Sequence, residues 1–166
     1  MTLSASIFRA YDIRGIVDET ITVDDVHIIG RAIGSEALSR GETQIFVGRD
    51  GRLSSPAFSE ALITGLLSTG CDVCDIGAVP TPLLYFATCT LSTQSGVMVT
   101  GSHNPRDYNG LKIVLGGDTL AEGEIQALYH RIRDNRFMIG SGKRSAYDIV
   151  ERYLQCVVSH VPLSKK

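Results

Sequence analysis

Residues 44–76 read QIFVGRDGRLSSPAFSEALITGLLSTGCDVCDI, and their pattern indicates the class of fold. It begins with a short apolar run at 44–47, which is typical of a buried strand. A helix is predicted next, with Ser55 as its N-cap and Pro56 in its first turn. The run at 71–76 predicts a second strand. A strand, a helix and a strand in this order indicate a parallel β-α-β unit.

The alternation of strands and helices continues on both sides of this unit. Upstream, Thr22 and Asp25 resemble a capping box, with Asp in place of Glu, and they predict the start of a helix that ends near Gly41. Downstream, the sequence predicts a short helix from Pro82 to Cys89, strands at 96–100 and 111–115, and a helix at 122–135.

The last strand differs because only about ten residues precede it, too few for a crossover helix. The turn signal Asn109-Gly110 leads into it. We therefore expect it to run antiparallel, at the sheet edge. The predicted fold is α/β, with a mixed, mostly parallel four-stranded sheet between helices in three α/β/α layers.

Composition limits the classes of function. The chain has 166 residues, 43% hydrophobic and 20% charged, with a formal net charge of −2. A general nucleic-acid binder would be basic, so the charge argues against nucleic-acid partners. The sequence contains no apolar run long enough to span a membrane, and its first residues do not form a secretory signal. We expect a cytoplasmic protein.

Cys71 and Cys74 form a CxxC motif, which can indicate a redox or metal site. In a strand, however, residues three apart point to opposite faces. No second CxxC or HxxxH completes a zinc site. We therefore favour buried or half-buried thiols in a reducing compartment.

The C-terminal part has a different character. Residues 138–145 (MIGSGKRS) are rich in glycine and serine, which predicts a linker. Residues 146–160 predict an amphipathic helix with one broad apolar face. Such a helix either leads into a further part of a longer protein or packs back on this domain, and its pattern favours neither.

The segment TGSHNP at 100–105 is the strongest candidate for a functional site. It follows a buried strand, and α/β folds bind ligands at the carboxyl ends of such strands. Ser102 occupies the place of a nucleophile, and the small Gly101 would let a phosphate approach the backbone. Lys112 on the next strand would bring an ammonium group within reach. The alternative is a polar loop in which Ser102 and Asn104 satisfy local backbone groups, and spacing alone favours it.

Two basic segments, FRAYDIRG at 8–15 and VGRDGRLSSP at 47–56, could add anion-binding groups. For Arg49, Asp50 and Arg52 we favour the simpler interpretation that Arg–Asp pairs brace the turns. For Arg14 the two interpretations are about equal. The sequence has no Walker motif and no G-x-G-x-x-G, so neither ATP nor NAD is indicated.

These segments together resemble the α-D-phosphohexomutases, the phosphomannomutase/phosphoglucomutase family. The resemblance rests on FRAYDIRG (8–15), VGRDGRLSSP (47–56), PTPLLYFA (80–87) and VTGSHNPRDYNGLKIV (99–114). The four motifs occur in the family's order, and the resemblance extends from near residue 7 to about 135.

The resemblance implies that residues 1–137 form the family's N-terminal phosphoserine domain, and that 138–166 are a linker and helix leading to a second domain. It implies an enzyme that interconverts hexose 6-phosphates and hexose 1-phosphates, of mannose or glucose, through a 1,6-bisphosphate. The remaining domains would supply the sugar and distal-phosphate sites, so this chain alone is expected to be inactive. The alternative from another class is a stand-alone phosphate-binding or phospho-acceptor module.

The resemblance also implies roles for single residues. Ser102 would carry the phosphoryl group, and one oxygen of that group would bind Mg²⁺, whose other ligands lie on the second domain. The other implied roles are proton transfer or charge stabilisation for Lys112 and His103, a place beside the phosphoserine for Arg14, a place at the substrate opening for Tyr11, and loop positioning near the substrate for Asn104.

Overall fold

The computed structural model describes residues 3–161. After a 3-10 turn at Ala5–Ile7, the strands and helices are, in chain order, β1 (Ile13–Ile16), α1 (Val23–Ser39), β2 (Gln44–Arg49), α2 (Ser55–Leu67), β3 (Asp72–Ala78), α3 (Thr81–Thr90), β4 (Gly96–Val99), β5 (Tyr108–Leu115), β6 (Asp118–Thr119), α4 (Gly123–Arg133), β7 (Arg144–Ala146) and α5 (Val150–His160). Within residues 3–161, none of the helices combines the length and apolar composition that crossing a membrane requires.

The strands form one mixed sheet in the order β1-β5-β4-β2-β3-β7, with β6 paired to β5. β2 is parallel to β3 and β4, and β7 is parallel to β3. The pairings of β5 with β4, β1 and β6 are antiparallel. All four predicted strands are present, and two of the three pairings among them are parallel. The predicted count of four was too low because β1, β6 and β7 are too short to give a clear apolar pattern.

β5 runs antiparallel to β4, as expected, but it is not the edge strand, because β1 pairs along its other side. The prediction of a turn at Asn109-Gly110 was also wrong, since both residues lie inside β5. Gly110 is required for a different reason. A Cβ there would lie 2.1 Å from the carbonyl oxygen of Ile13, so its absence lets β1 approach.

Helices cover both faces of the sheet, which confirms the predicted three layers. α1, α2 and α4 pack on one face over a large apolar cluster, and α3 packs with Phe46 and Met98 on the other. The CxxC pair follows this division: Cys71 belongs to the first cluster and Cys74 to the second. Both thiols are free and buried, and burial raises the pKa of Cys71 to about 12.

The starts of the first four helices, α1 to α4, agree with the sequence to within a residue. Thr22 and Asp25 form the capping box at the start of α1. α2 begins at Ser55 itself, so its N-cap is Ser54 rather than Ser55 as predicted. The Ser55 hydroxyl instead donates to Asp50 at 2.5 Å, which takes it out of a capping role.

The glycine-rich segment predicted as a linker is hydrogen-bonded to the domain. The amides of Gly140 and Gly142 donate to carbonyls at the end of α2, and β7 then pairs with β3. A Cβ on Gly142 would lie 2.0 Å from the carbonyl oxygen of Cys71, so this close approach requires glycine. The division between 137 and 138 as a domain boundary stays a prediction.

α5 begins four residues later than predicted, at Val150. Ile149, just before it, is fully buried, and Tyr153 packs edge-on against Phe86 of α3 at 5.2 Å between ring centroids. The rest of its apolar side, including Leu154 and Val158, is exposed. The helix therefore packs back on the domain only through its first turn.

The close crossing of α1 and α2 depends on glycines, and Gly65→Ala tests this. A Cβ on Gly65 would lie 2.2 Å from the carbonyl oxygen of His27, a backbone atom that cannot move alone. We expect Gly65→Ala to lower the free energy of unfolding by about 1–3 kcal/mol, measured by urea denaturation. Gly123→Ala, in the first turn of α4 with open space at the Cβ position, is the matched control and should be neutral or slightly stabilising.

Glu36 joins α1 to α4 and makes stability depend on pH. Burial raises its pKa, but hydrogen bonds and charge from Arg131 and Arg40 outweigh burial, so the pKa lies below its ordinary value. A carboxyl lowered in this way stabilises the fold above its unfolded pKa, roughly 4.3, and loses that contribution as pH falls through the folded value.

We therefore expect the chain to be more stable than Glu36→Gln at neutral pH, with the difference shrinking as pH falls below about 4. Denaturant unfolding at a series of pH values measures it. Glu19→Gln, at an exposed position, is the control for loss of one charge. A Glu36→Gln difference that stays constant from pH 7 to acid would contradict the assignment.

Candidate active site

The TGSHNP segment forms the loop that joins β4 to β5, at the carboxyl ends of the parallel strands. Ser102 is exposed in this loop and lies outside any strand, as predicted. Its backbone has a φ of 53°, in the left-handed region that a residue with a side chain rarely adopts. Such strain persists only where surrounding contacts hold it, and it is often found at functional sites.

Part of that support comes from inside the loop. The amide of Ser102 donates to the Thr100 hydroxyl at 2.8 Å, and the side-chain amide of Asn104 donates to the Gly101 carbonyl at 2.8 Å. Asn104 therefore hydrogen-bonds within the loop to a backbone carbonyl. These bonds engage backbone and neighbouring side chains and leave the Ser102 side chain at the surface.

The strongest support comes from Arg52, in the turn that follows β2. Its guanidinium donates to four loop carbonyls, and it also pairs with Asp50 at 3.3 Å. The carbonyl acceptors are those of Ser102 at 3.1 Å, Asn104 at 2.7 Å, Tyr108 at 2.9 Å and Pro105 at 2.5 Å. Arg52 and Asp50 do brace a turn, as predicted, but the brace extends from the β2 turn to the Ser102 loop.

Asp50 holds the same loop by accepting a hydrogen bond from it. Its carboxylate accepts from the amide of Gly101 at 3.2 Å and from the amide of Arg52 at 3.0 Å. Burial raises the pKa of Asp50, but hydrogen bonds from two hydroxyls and two backbone amides lower it by more than burial raises it. The pKa therefore lies below its usual range. Asp50 is therefore charged at neutral pH and can balance the half-buried guanidinium.

Gly101 has a different role from the one predicted. A Cβ at this position would lie 2.3 Å from the central guanidinium carbon of Arg52. The missing side chain therefore makes room for Arg52 against the loop backbone, which the sequence analysis did not predict.

Arg14 and Lys112 meet at one carboxylate, Asp12. The Nε of Arg14 and the Nζ of Lys112 each lie 3.8 Å from an Asp12 oxygen. The sheet register sets this meeting, because Arg14 lies opposite Gly110 and Lys112 lies two residues further along β5, on the same face of the sheet. Gly110 in turn accepts a hydrogen bond from the amide of Thr100, at the start of the Ser102 loop.

The Arg14 side chain has a hydrogen-bond donor that is not satisfied. Its Nε is buried and has no hydrogen-bond partner among residues 3–161. A buried donor without an acceptor is costly unless another group completes its bonding. The Arg14 side chain as a whole is 26% exposed, although its Nε is buried.

The two other predicted residues are exposed. His103 is exposed beside Ser102 in the loop. Tyr11 is 64% exposed, one residue before Asp12. Their positions are compatible with contacts to a ligand that approaches the carboxyl edge of the sheet.

The floor of the site contains a polar network that sequence reasoning missed. Asn109 is fully buried in β5, and its side-chain amide donates to the hydroxyls of Ser54 and Ser55 at the start of α2. Segments 47–56 and 99–114 each include the end of a predicted strand and the turn that follows it. This placement made their polar residues candidates for mutual contact. Which residues pair could not be deduced from either segment alone.

No group of three or more His, Cys, Asp or Glu side chains is placed to hold a metal ion within residues 3–161. The described residues therefore do not form a complete Mg²⁺ site. Once phosphorylated, the exposed Ser102 would offer hard phosphate oxygens of the kind that Mg²⁺ prefers.

Sequence comparison adds independent evidence. Residues 5–138 match the family model for phosphoglucomutase/phosphomannomutase, α/β/α domain I. The chain is 54% identical over 164 residues to a Pseudomonas aeruginosa protein named phosphomannomutase/phosphoglucomutase, and 46% identical over 165 residues to a Neisseria meningitidis phosphoglucomutase. These matches cover 99% and 98% of this chain, but only 35% and 36% of the relatives. The chain thus spans about a third of the length of the curated relatives it matches.

Comparison with solved structures agrees. A crystal structure of a phosphoglucomutase/phosphomannomutase family protein from Burkholderia thailandensis matches with a TM-score of 0.95 and 46% sequence identity. The match covers 99% of this chain and 38% of that protein. From the family model and these relatives together, the chain belongs to the phosphoglucomutase/phosphomannomutase family, of which it carries the α/β/α domain I.

Proposed function

We propose that this chain is the phosphoserine domain of an enzyme that interconverts hexose 6-phosphates and hexose 1-phosphates, of mannose, glucose or both. The observation that carries the proposal is Ser102, exposed and strained in a braced loop at the carboxyl edge of the sheet. Membership of the family supports the reaction class, and the names of the relatives support the substrates.

In the proposed reaction, the bond between the Ser102 oxygen and phosphorus breaks as a hydroxyl oxygen of the hexose phosphate bonds to the same phosphorus. The hydroxyl proton passes to a nearby base, the departing Ser102 oxygen takes up a proton in return, and a hexose 1,6-bisphosphate forms. After this intermediate reorients, its other phosphoryl group returns to Ser102. Phosphoryl transfer of this kind depends mainly on positioning and charge neutralisation.

The other predicted residues take supporting roles. Lys112 and His103 transfer the proton or stabilise developing charge, and Arg14 lies beside the phosphoserine. The orphaned Nε of Arg14 supports a role in binding an anion, because a phosphoryl oxygen would complete its hydrogen bonding. Tyr11 borders the substrate, and Asn104 holds the loop.

Mg²⁺ is the proposed cofactor, and it neutralises charge on the transferring group when bound. One phosphoserine oxygen would be a ligand, and the others would come from outside this chain. The proposed partners are hexose phosphates, hexose 1,6-bisphosphate and further domains of the same protein, without nucleic acid or membrane. The four free cysteines support a reducing compartment, so we place the protein in the cytoplasm.

A second candidate is a stand-alone phosphate-binding or phospho-acceptor module that acts with a separate partner. The site would hold a phosphoryl group in either case. The length of the reading frame separates the two, because a mutase continues into domains that hold the metal ligands, the sugar and the distal phosphate.

The first test is Ser102→Ala in the full-length protein. We expect mutase activity to fall by roughly 10³-fold or more, since the atom that carries the phosphoryl group is removed. Incubation with glucose 1,6-bisphosphate should add one phosphoryl group to the unchanged protein and none to the variant, as read by intact mass. Ser141→Ala, at another exposed serine, is the control and should behave as the unchanged protein. Undiminished turnover by Ser102→Ala would refute the assignment.

The second test uses the 166-residue chain alone, which we expect not to isomerise hexose phosphates. A mutase must hold the distal phosphate while the near hydroxyl meets the phosphoserine, and such orientation can be worth roughly 7–11 kcal/mol. A coupled assay with glucose 1-phosphate, glucose 1,6-bisphosphate and Mg²⁺ measures this. Turnover near that of a complete enzyme, abolished by Ser102→Ala, would show that the whole machinery lies within these residues.

A further inference from the structure

Arg52 lies beneath the Ser102 loop and has almost no other role in the structure. Its side chain is only 17% exposed, and apart from Asp50 its hydrogen bonds all go to carbonyl oxygens of residues 102–108. A guanidinium has five N–H donors in a rigid planar fork, which allows one side chain to hold several acceptors at once. A lysine ammonium cannot reproduce this arrangement.

The contact is also built into the backbone of the loop. The guanidinium lies so close to Gly101 that any Cβ there would overlap it. Asp50 fixes the guanidinium from the other side and accepts the amide hydrogen of Gly101. Asp50 and Gly101 therefore fix the position of the Arg52 guanidinium, and the loop conformation fits that position.

This arrangement has a consequence for the outer side of the loop. The C=O and N–H of a trans peptide unit point in opposite directions. Because the carbonyls of Ser102 and Pro105 point inward to Arg52, the amides that share those peptide units, of His103 and Arg106, are directed away from it. Outward amides beside a serine hydroxyl are suitable donors for a phosphoryl group.

We propose that Arg52 is a positioning residue: it draws the loop carbonyls inward, holds Ser102 in its left-handed conformation and turns the amides of His103 and Arg106 toward the phosphoryl group. This inference rests on the proposed function of Ser102. In this inference, Arg52, which lies outside the TGSHNP segment, sets the loop geometry on which phosphoryl transfer depends.

The test compares Arg52→Met and Arg52→Lys in the full-length protein. Met keeps most of the stem and removes every donor, whereas Lys keeps the charge and loses the planar fork. We expect kcat to fall by about 10²-fold in Arg52→Met, because a misplacement of about 1 Å at a reacting group can cost that much. Arg52→Lys should lose nearly as much, and KM for the hexose phosphate should stay unchanged in both. Arg136→Met, at an exposed arginine remote from the loop, should match the unchanged protein.

Amide hydrogen exchange on the 166-residue chain separates positioning from general stability. We expect faster exchange in Arg52→Met confined to residues 100–108, with β2, β3 and α2 protected as before. Loss of protection throughout the sheet, or kcat within a few fold of normal, would overturn the proposal. If Ser102→Ala abolishes turnover while Arg52→Met keeps it, only this inference fails. If Ser102→Ala keeps turnover, the proposed function fails, whatever Arg52 does.

Discussion

β2 and β4 lie side by side and parallel, so the segments that follow them leave the sheet at the same edge. This constraint places the turn with Asp50 and Arg52 beneath the loop that contains Ser102, although about fifty residues of sequence separate them. The guanidinium and the carboxylate then bond to the carbonyls and one amide of that loop. These bonds hold the backbone on both sides of Ser102, whose left-handed conformation the proposed transfer uses.

The antiparallel half of the sheet supplies the cations. β5 returns beside β4, and β1 pairs on its outer side, which brings Arg14 and Lys112 to the same carboxylate of Asp12. Gly110 allows β1 to come close enough for this pairing. The parallel half thus braces the loop and the antiparallel half brings the charges, and a phosphoryl group on Ser102 would lie near the junction of the two.

Local sequence determined a large part of the architecture. Helix signals such as the Thr22 capping box depend on neighbours within one turn, and apolar runs such as 44–47 reflect burial on both faces. The strands that were missed, β1, β6 and β7, are short and gain their stability from pairing rather than from composition. In residues 138–145, the glycines that predicted a linker allow close packing beside β3, which depends on distant neighbours.

For the candidate site, three features could be predicted from the sequence alone: the serine, its place after a strand and, through four ordered motifs, the family resemblance. It did not determine that Arg52 holds the Ser102 loop, that Gly101 makes room for that arginine, or that Asp12 lies between Arg14 and Lys112. These contacts join residues far apart in the chain. Only the order and register of the strands decide which distant residues meet, and no local pattern in a single sequence encodes that order.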